Sequence, residues 1–66
     1  MTMLKVVEVL AESEKGWDDA AQVAVTNASK TVRNIRSIYI KNHEAKVENG
    51  KIVLYRINAK ISFVLD

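Results

Sequence analysis

The sequence predicts an α+β protomer of β-α-β-β order, a three-stranded antiparallel/mixed sheet curled around one helix. Three observations carry this expectation. A valine-rich stretch, LKVVEVLA, opens the chain; apolar residues at helical spacing begin at Trp17; and an Asn49-Gly50 pair joins two long strand-like stretches. A chain of 66 residues and 7.4 kDa has room for one domain, expected over residues 1–66.

Residues 4–11 are β-branched and free of Gly and Pro, which is the composition of a strand. ESEKG then breaks the pattern. From there Trp17, Ala20, Ala21, Ala24, Val25, Ala28 and Val32 follow in steps of three, one and four, as on one face of a helix. Gly16 is a tolerable N-cap. Asp18 and Asp19 fall in the first turn, where the helix dipole favours negative charge, and Lys30 and Arg33 lie near the other end, where it favours cations. A helix over 17–33 is therefore expected. Its buried stripe is mostly alanine, so its backbone can lie close against a sheet.

In ENGK, Asn49 and Gly50 occupy the two positions of a type I′ turn that need positive φ. That turn pairs residues whose numbers sum to 99: Glu48 with Lys51, His43 with Arg56, Tyr39 with Lys60, Ser37 with Ser62. Paired side chains share a face. Along the last strand Val53, Tyr55, Ile57, Ala59, Ile61, Phe63 and Leu65 point one way, joined by Ile38 and Ile40, and this is the helix side. Ser37, Tyr39 and Arg56 then project from the opposite, open face. Near the turn the pattern inverts: Ala45, Val47, Ile52 and Leu54 are expected on the open face and Glu44 and Lys46 on the helix side, unless a bulge near Asn42 shifts the register.

A helix over 17–33 spans about 25 Å, and a strand over 35–48 about 45 Å. The hairpin tip must overshoot the helix and carry apolar residues that one chain cannot bury, which predicts subunit contacts. The crossover through the helix favours parallel first and second strands with the third between them, order 1-3-2.

Composition excludes several classes. There is no cysteine and only one histidine, so no disulfide framework, thiolate site or structural zinc is expected. Small domains commonly lean on such supports or on oligomerisation, and a 48% hydrophobic chain points to self-association. The net charge of +2 is spread among interleaved acids and bases, and the cluster Lys30, Arg33, Arg36 and Lys41 lacks interleaved aromatics, so nucleic acid is not an expected partner. No stretch has signal-peptide or membrane-span character, which makes a cytoplasmic protein with no membrane contact the expectation. Asp18 and Asp19 are adjacent, about 100° apart on a helix, and cannot form a matched acid–base pair. With no cysteine nucleophile and no glycine-rich phosphate loop, the chain does not read as an enzyme. Trp17 reads as a packing residue and His43 as a solvated or interface residue, and the Asn27-Ala28-Ser29 sequon, placed within the expected helix, reads as chance.

KVVEVL, W(D)DAAQ, ASKTVRNIR, VENGKI and the closing KISFVLD together resemble the dodecin family across essentially the whole chain. The resemblance implies a β-α-β-β protomer assembling into a hollow homododecamer of cubic symmetry, not an enzyme. Dodecins bind flavins in pairs at subunit interfaces and are thought to store or buffer them; some bacterial members bind coenzyme A. In flavin-binding members a tryptophan early in the second strand stacks on the isoalloxazine ring, and a glutamine in the third bonds its polar edge. Those positions correspond here to Ser37 and Arg56. Ser37 has no π-face, and stacking is worth on the order of 1–3 kcal/mol per ring. Arg56 offers donors and no acceptor. Tyr39, two residues beyond Ser37, is the candidate replacement platform. The candidate contacts are Ser37, Tyr39 and Arg56, and the candidate ligand is a flavin (riboflavin or FMN) or related nucleotide. The alternative is a structural or calcium-binding assembly, as in a dodecin-like subgroup that lacks the tryptophan.

Overall fold

The computed structural model describes residues 2–65. Strand β1 (Leu4–Ser13) leads into helix α1 (Trp17–Ala28), then β2 (Ile35–Glu48) and β3 (Lys51–Val64). The strands form one sheet in the order β1-β3-β2. Both outer strands run antiparallel to β3, so they are parallel to each other, as a helical crossover requires.

The core is small and centred on β3. Ile57, Ala59 and Ile61 are fully buried, and against them lie Ala11 of β1 and Ala20 and Ala24 of α1. Alanines on the helix face let the backbone approach the sheet, so isoleucine on β3 supplies the bulk. Val7, Val9, Ile35, Ile38 and Ile40 close the sides. The β1–α1 connection is held by Ser13, whose Oγ donates to Asp19 Oδ2 (2.5 Å) and accepts from the Lys15 N–H (2.9 Å).

The helix is shorter than its apolar spacing suggests, ending at Ala28 rather than Arg33. After it, Lys30 and Thr31 donate to the carbonyls three residues back, and Ser29 Oγ joins its own N–H on the Val25 carbonyl. These three-residue bonds tighten the last turn, and the β-branched Thr31 and Val32 that follow favour leaving the helix here. Asn34, at φ 61°, then turns the chain into β2. Lys30 and Arg33 therefore lie beyond the last helical turn and do not cap its dipole.

The hairpin turn is as expected: Asn49 and Gly50 have φ of 52° and 76°. Glu48–Lys51, Tyr39–Lys60 and Ser37–Ser62 pair as predicted, but His43 faces Ile57, and Glu44 is the residue opposite Arg56. The cause is a bulge that inserts Lys41 between Ile40 and Asn42. One extra residue reverses the alternation. His43 and Ala45 move to the helix side with Tyr55, while Glu44 and Lys46 move to the open face with Leu54 and Arg56. A second bulge, at Val53, restores the sum of 99 at the tip and sets Ile52 opposite Val47 on the helix side. Of the four apolar tip residues expected on the open face, only Leu54 is there. A third bulge, at Arg36, turns Ile35 toward the core.

Trp17 explains the new placement of His43. Its ring meets His43 and Tyr55 edge-on, with centroids 5.8 and 4.9 Å away, and its indole N–H donates to the Glu44 carbonyl at 2.8 Å. Beyond this clamp nothing covers the tip, where Val47, Ile52 and Val53 are exposed. The molecule is 51 Å long, whereas its 12-residue helix spans roughly 18 Å.

Two substitutions test this packing. Ala20→Leu should overpack the closest helix–sheet approach and cost about 1–3 kcal/mol in denaturant unfolding at fixed protein concentration; wild-type stability would mean that α1 does not lie tight on the sheet. Trp17→Phe keeps the ring contacts and deletes one hydrogen bond, so a loss of about 0.5–1.5 kcal/mol is expected. An unchanged midpoint would show that the clamp to Glu44 contributes nothing.

Candidate functional site

The open face of the sheet is where the three candidate residues lie. Strand alternation places Leu4, Val6, Glu8, Leu10 and Glu12 of β1 there, with Leu54, Arg56, Asn58, Lys60, Ser62 and Val64 of β3 and Ser37, Tyr39, Glu44 and Lys46 of β2. No element of the chain covers it. Leu4, Val6, Leu10 and Tyr39 are 55, 52, 69 and 64% exposed, an unusual density of apolar surface on an uncovered sheet.

Each candidate has a defined setting. Ser37 is exposed, and its hydroxyl shares a 2.5 Å hydrogen bond with that of Ser62, directly opposite. Tyr39 presents its ring to solvent level with Lys60. Arg56 is held by Glu12 of β1, its direct cross-strand partner: Nε donates to Oε2 at 2.8 Å and Nη2 lies 2.6 Å from the same oxygen. The carboxylate that pairs with Arg56 thus belongs to the same chain. Glu44 stands level with Arg56 on the other side, so carboxylates flank the guanidinium from both outer strands. Lys41 and Glu8 form a looser pair at 3.8 Å.

The electrostatics follow from this row. The Arg56 guanidinium is held above its already high ordinary pKa, first by the hydrogen bond to Glu12 and then by attraction to that carboxylate. Desolvation opposes this, and Glu44 adds a smaller push in the same direction. Arg56 therefore stays cationic throughout the physiological range. A depression of about 260 Å³ lies beside it, lined by Glu44, Ala45, Lys46, Leu54 and Arg56.

One chain does not bring the three residues together. Ser37 is level with Ser62, and Arg56 lies six residues from Ser62 along β3, roughly 20 Å at 3.3 Å per residue. Tyr39, level with Lys60, is roughly 13 Å from Arg56 by the same measure. A planar ligand that touches both ends of this row needs surface from a second copy. For a flavin, the residues fit in part: Tyr39 supplies a ring face and Arg56 supplies donors, whereas Ser37 supplies neither. For calcium, no three His, Cys, Asp or Glu side chains converge among the described residues, so one chain alone builds no such site. Sequence reasoning missed Glu12 and Glu44. No turn links β1 to β3, so nothing local announces the register that sets Glu12 beside Arg56; Glu44 was hidden by the bulge.

Comparison with known proteins agrees with this architecture. The sequence profile of the family described as Dodecin matches residues 3–66. The calcium dodecin of Mycobacterium tuberculosis is 30% identical over 63 residues, covering 96% of this chain and 89% of that protein. Its solved structure, described as a calcium-chelating antigen with a novel calcium-binding site, gives a TM-score of 0.82 at 32% identity, covering 97% of this chain and 91% of that one. Dodecin from Streptomyces coelicolor gives 0.93 at 29% identity over 98% of this chain and 93% of that one. A variant of Thermus thermophilus dodecin gives 0.95 at 26% identity over 100% and 98%. The chain belongs to the dodecin family.

Proposed function

We propose that the protein is a non-enzymatic, cytoplasmic homododecamer that binds and sequesters a flavin, riboflavin or FMN, or a related nucleotide, where open sheet faces of different copies meet. The observation that carries this reading is the uncovered face itself. A small protein with three exposed aliphatic side chains and a tyrosine on one sheet face has apolar surface to bury, and copies of the chain are the available cover. The row from Ser37 to Arg56 is too long for one ring, which supports a ligand shared between copies. No helix among the described residues is long and apolar enough to cross a membrane. Tyr39 serves as the stacking surface and Arg56 as the donor to the ring's oxygens, with Ser37 beyond Tyr39 at the far end of the row.

A second reading, a calcium-binding shell, draws on the 30% identity to a calcium dodecin. Glu8, Glu12 and Glu44 are carboxylates on the same face, and in this reading sites form from more than one copy. Light scattering, flavin titration and thermal melting separate the two. A particle of about twelve protomers that quenches riboflavin fluorescence supports the first reading. A particle of that mass that leaves flavin bright, yet melts higher with calcium and lower with a chelator, replaces it with the second. A monomer at micromolar concentration removes both.

Replacing Ser37→Trp together with Arg56→Gln supplies the ring face and amide of the flavin-binding pattern. Flavin affinity should then rise by roughly tenfold or more, since one added stacking contact is worth on the order of 1–3 kcal/mol. No gain would show that these positions do not line the flavin space.

A further inference from the structure

The Glu12–Arg56 pair is built asymmetrically. Both short contacts of the guanidinium fall on a single carboxylate oxygen, Oε2, while Oε1 makes no hydrogen bond among the described residues. Two parallel bonds to the two oxygens are the usual geometry of a self-contained arginine–carboxylate pair. Here one acceptor is left over, and the guanidinium keeps uncommitted N–H groups as well. The side chains are 43 and 44% exposed and lie on the open face, so both spare functions are within reach of a ligand. A surface ion pair contributes little to stability, which leaves its recognition chemistry as the more consequential property.

We propose that Glu12 is a ligand-binding residue that acts with Arg56 as a composite donor–acceptor edge, selecting a planar ring with a carbonyl–N–H–carbonyl (imide) edge. Glu12 Oε1 accepts from the ring N–H, and Arg56 donates to a flanking carbonyl. Arginine alone lacks the acceptor for that edge; Glu12, supplied by the neighbouring strand at the same level, provides it. Glu44, level with Arg56 on the opposite side, makes no hydrogen bond to it among the described residues, and its charge further disfavours an anionic ring edge. This assignment rests on the flavin reading and narrows it, because the pyrimidine ring of the isoalloxazine carries such an imide.

The test compares riboflavin with N3-methylriboflavin, in which a methyl group replaces the imide hydrogen, by fluorescence titration of the assembled protein. Wild type should prefer riboflavin by at least about tenfold, since a site built to bond an N–H discriminates strongly against an analogue without it. Glu12→Ala should bring the ratio near one, and Glu12→Gln, which keeps an acceptor oxygen, should retain part of it. Equal loss in both variants points to charge rather than acceptance and overturns the assignment. If wild type binds the two flavins equally, Glu12 is not the acceptor, although the flavin reading stands. If wild type binds neither, the flavin reading falls and this assignment with it. Should Glu12→Ala fail to assemble, the wild-type ratio and Glu12→Gln decide the matter.

Discussion

A single short helix lies against a sheet much larger than itself, and that mismatch governs the rest of the molecule. The alanine face of α1 lets its backbone settle close to β3, where Ile57 and Ile61 are the largest fully buried side chains. Close approach is bought at the cost of reach: a helix without bulky side chains shields only the strand residues directly beneath it. The 14-residue strands of the hairpin run far past it, and the whole opposite face has no cover at all. Elongation, a bare sheet face and an exposed tip are thus three results of one packing choice.

On the bare face, charge and grease are arranged differently across and along the strands. Across the sheet, carboxylates of the outer strands meet cations: Glu12 with Arg56, and Glu8 with Lys41. Along β1, Leu4, Val6 and Leu10 interleave with Glu8 and Glu12. Most of the ionic demand is met inside the protomer, so in the proposed assembly a second copy would meet a surface that is locally neutralised and rich in apolar area. This lowers the desolvation cost of joining two such faces. The bulge at Lys41 belongs to the same arrangement, because without it Glu44 would turn to the helix side and Arg56 would face His43.

Much of this was legible in the sequence where the signals are local. Asn49-Gly50 specifies both the turn and the starting register, and the strict alternation from Tyr55 to Phe63 identifies the buried face. Ser37 and Tyr39 follow from those two facts without further help. What escaped depends on competition or on distance. Past Ala28 the chain tightens, with Lys30 and Thr31 donating three residues back, a change that the apolar spacing running on to Val32 does not register. The bulge at Lys41, beside the position near Asn42 where the sequence allows one, exchanges His43 and Glu44 between faces, and the bulge at Val53 is one that period-two reasoning cannot locate. The contact of Glu12 with Arg56 spans 44 residues with no turn to set it, and only the folded sheet makes it visible.

Trp17 is the sole indole of the chain, and it sits at the joint where helix, β2 and β3 converge. Its emission is therefore an intrinsic optical gauge of that joint, sensitive to whether the long arm of the molecule is seated or swung away. Any chromophore lodged between copies and absorbing in the near ultraviolet would drain that emission by energy transfer, so the protein carries its own lamp for following occupancy without an attached dye.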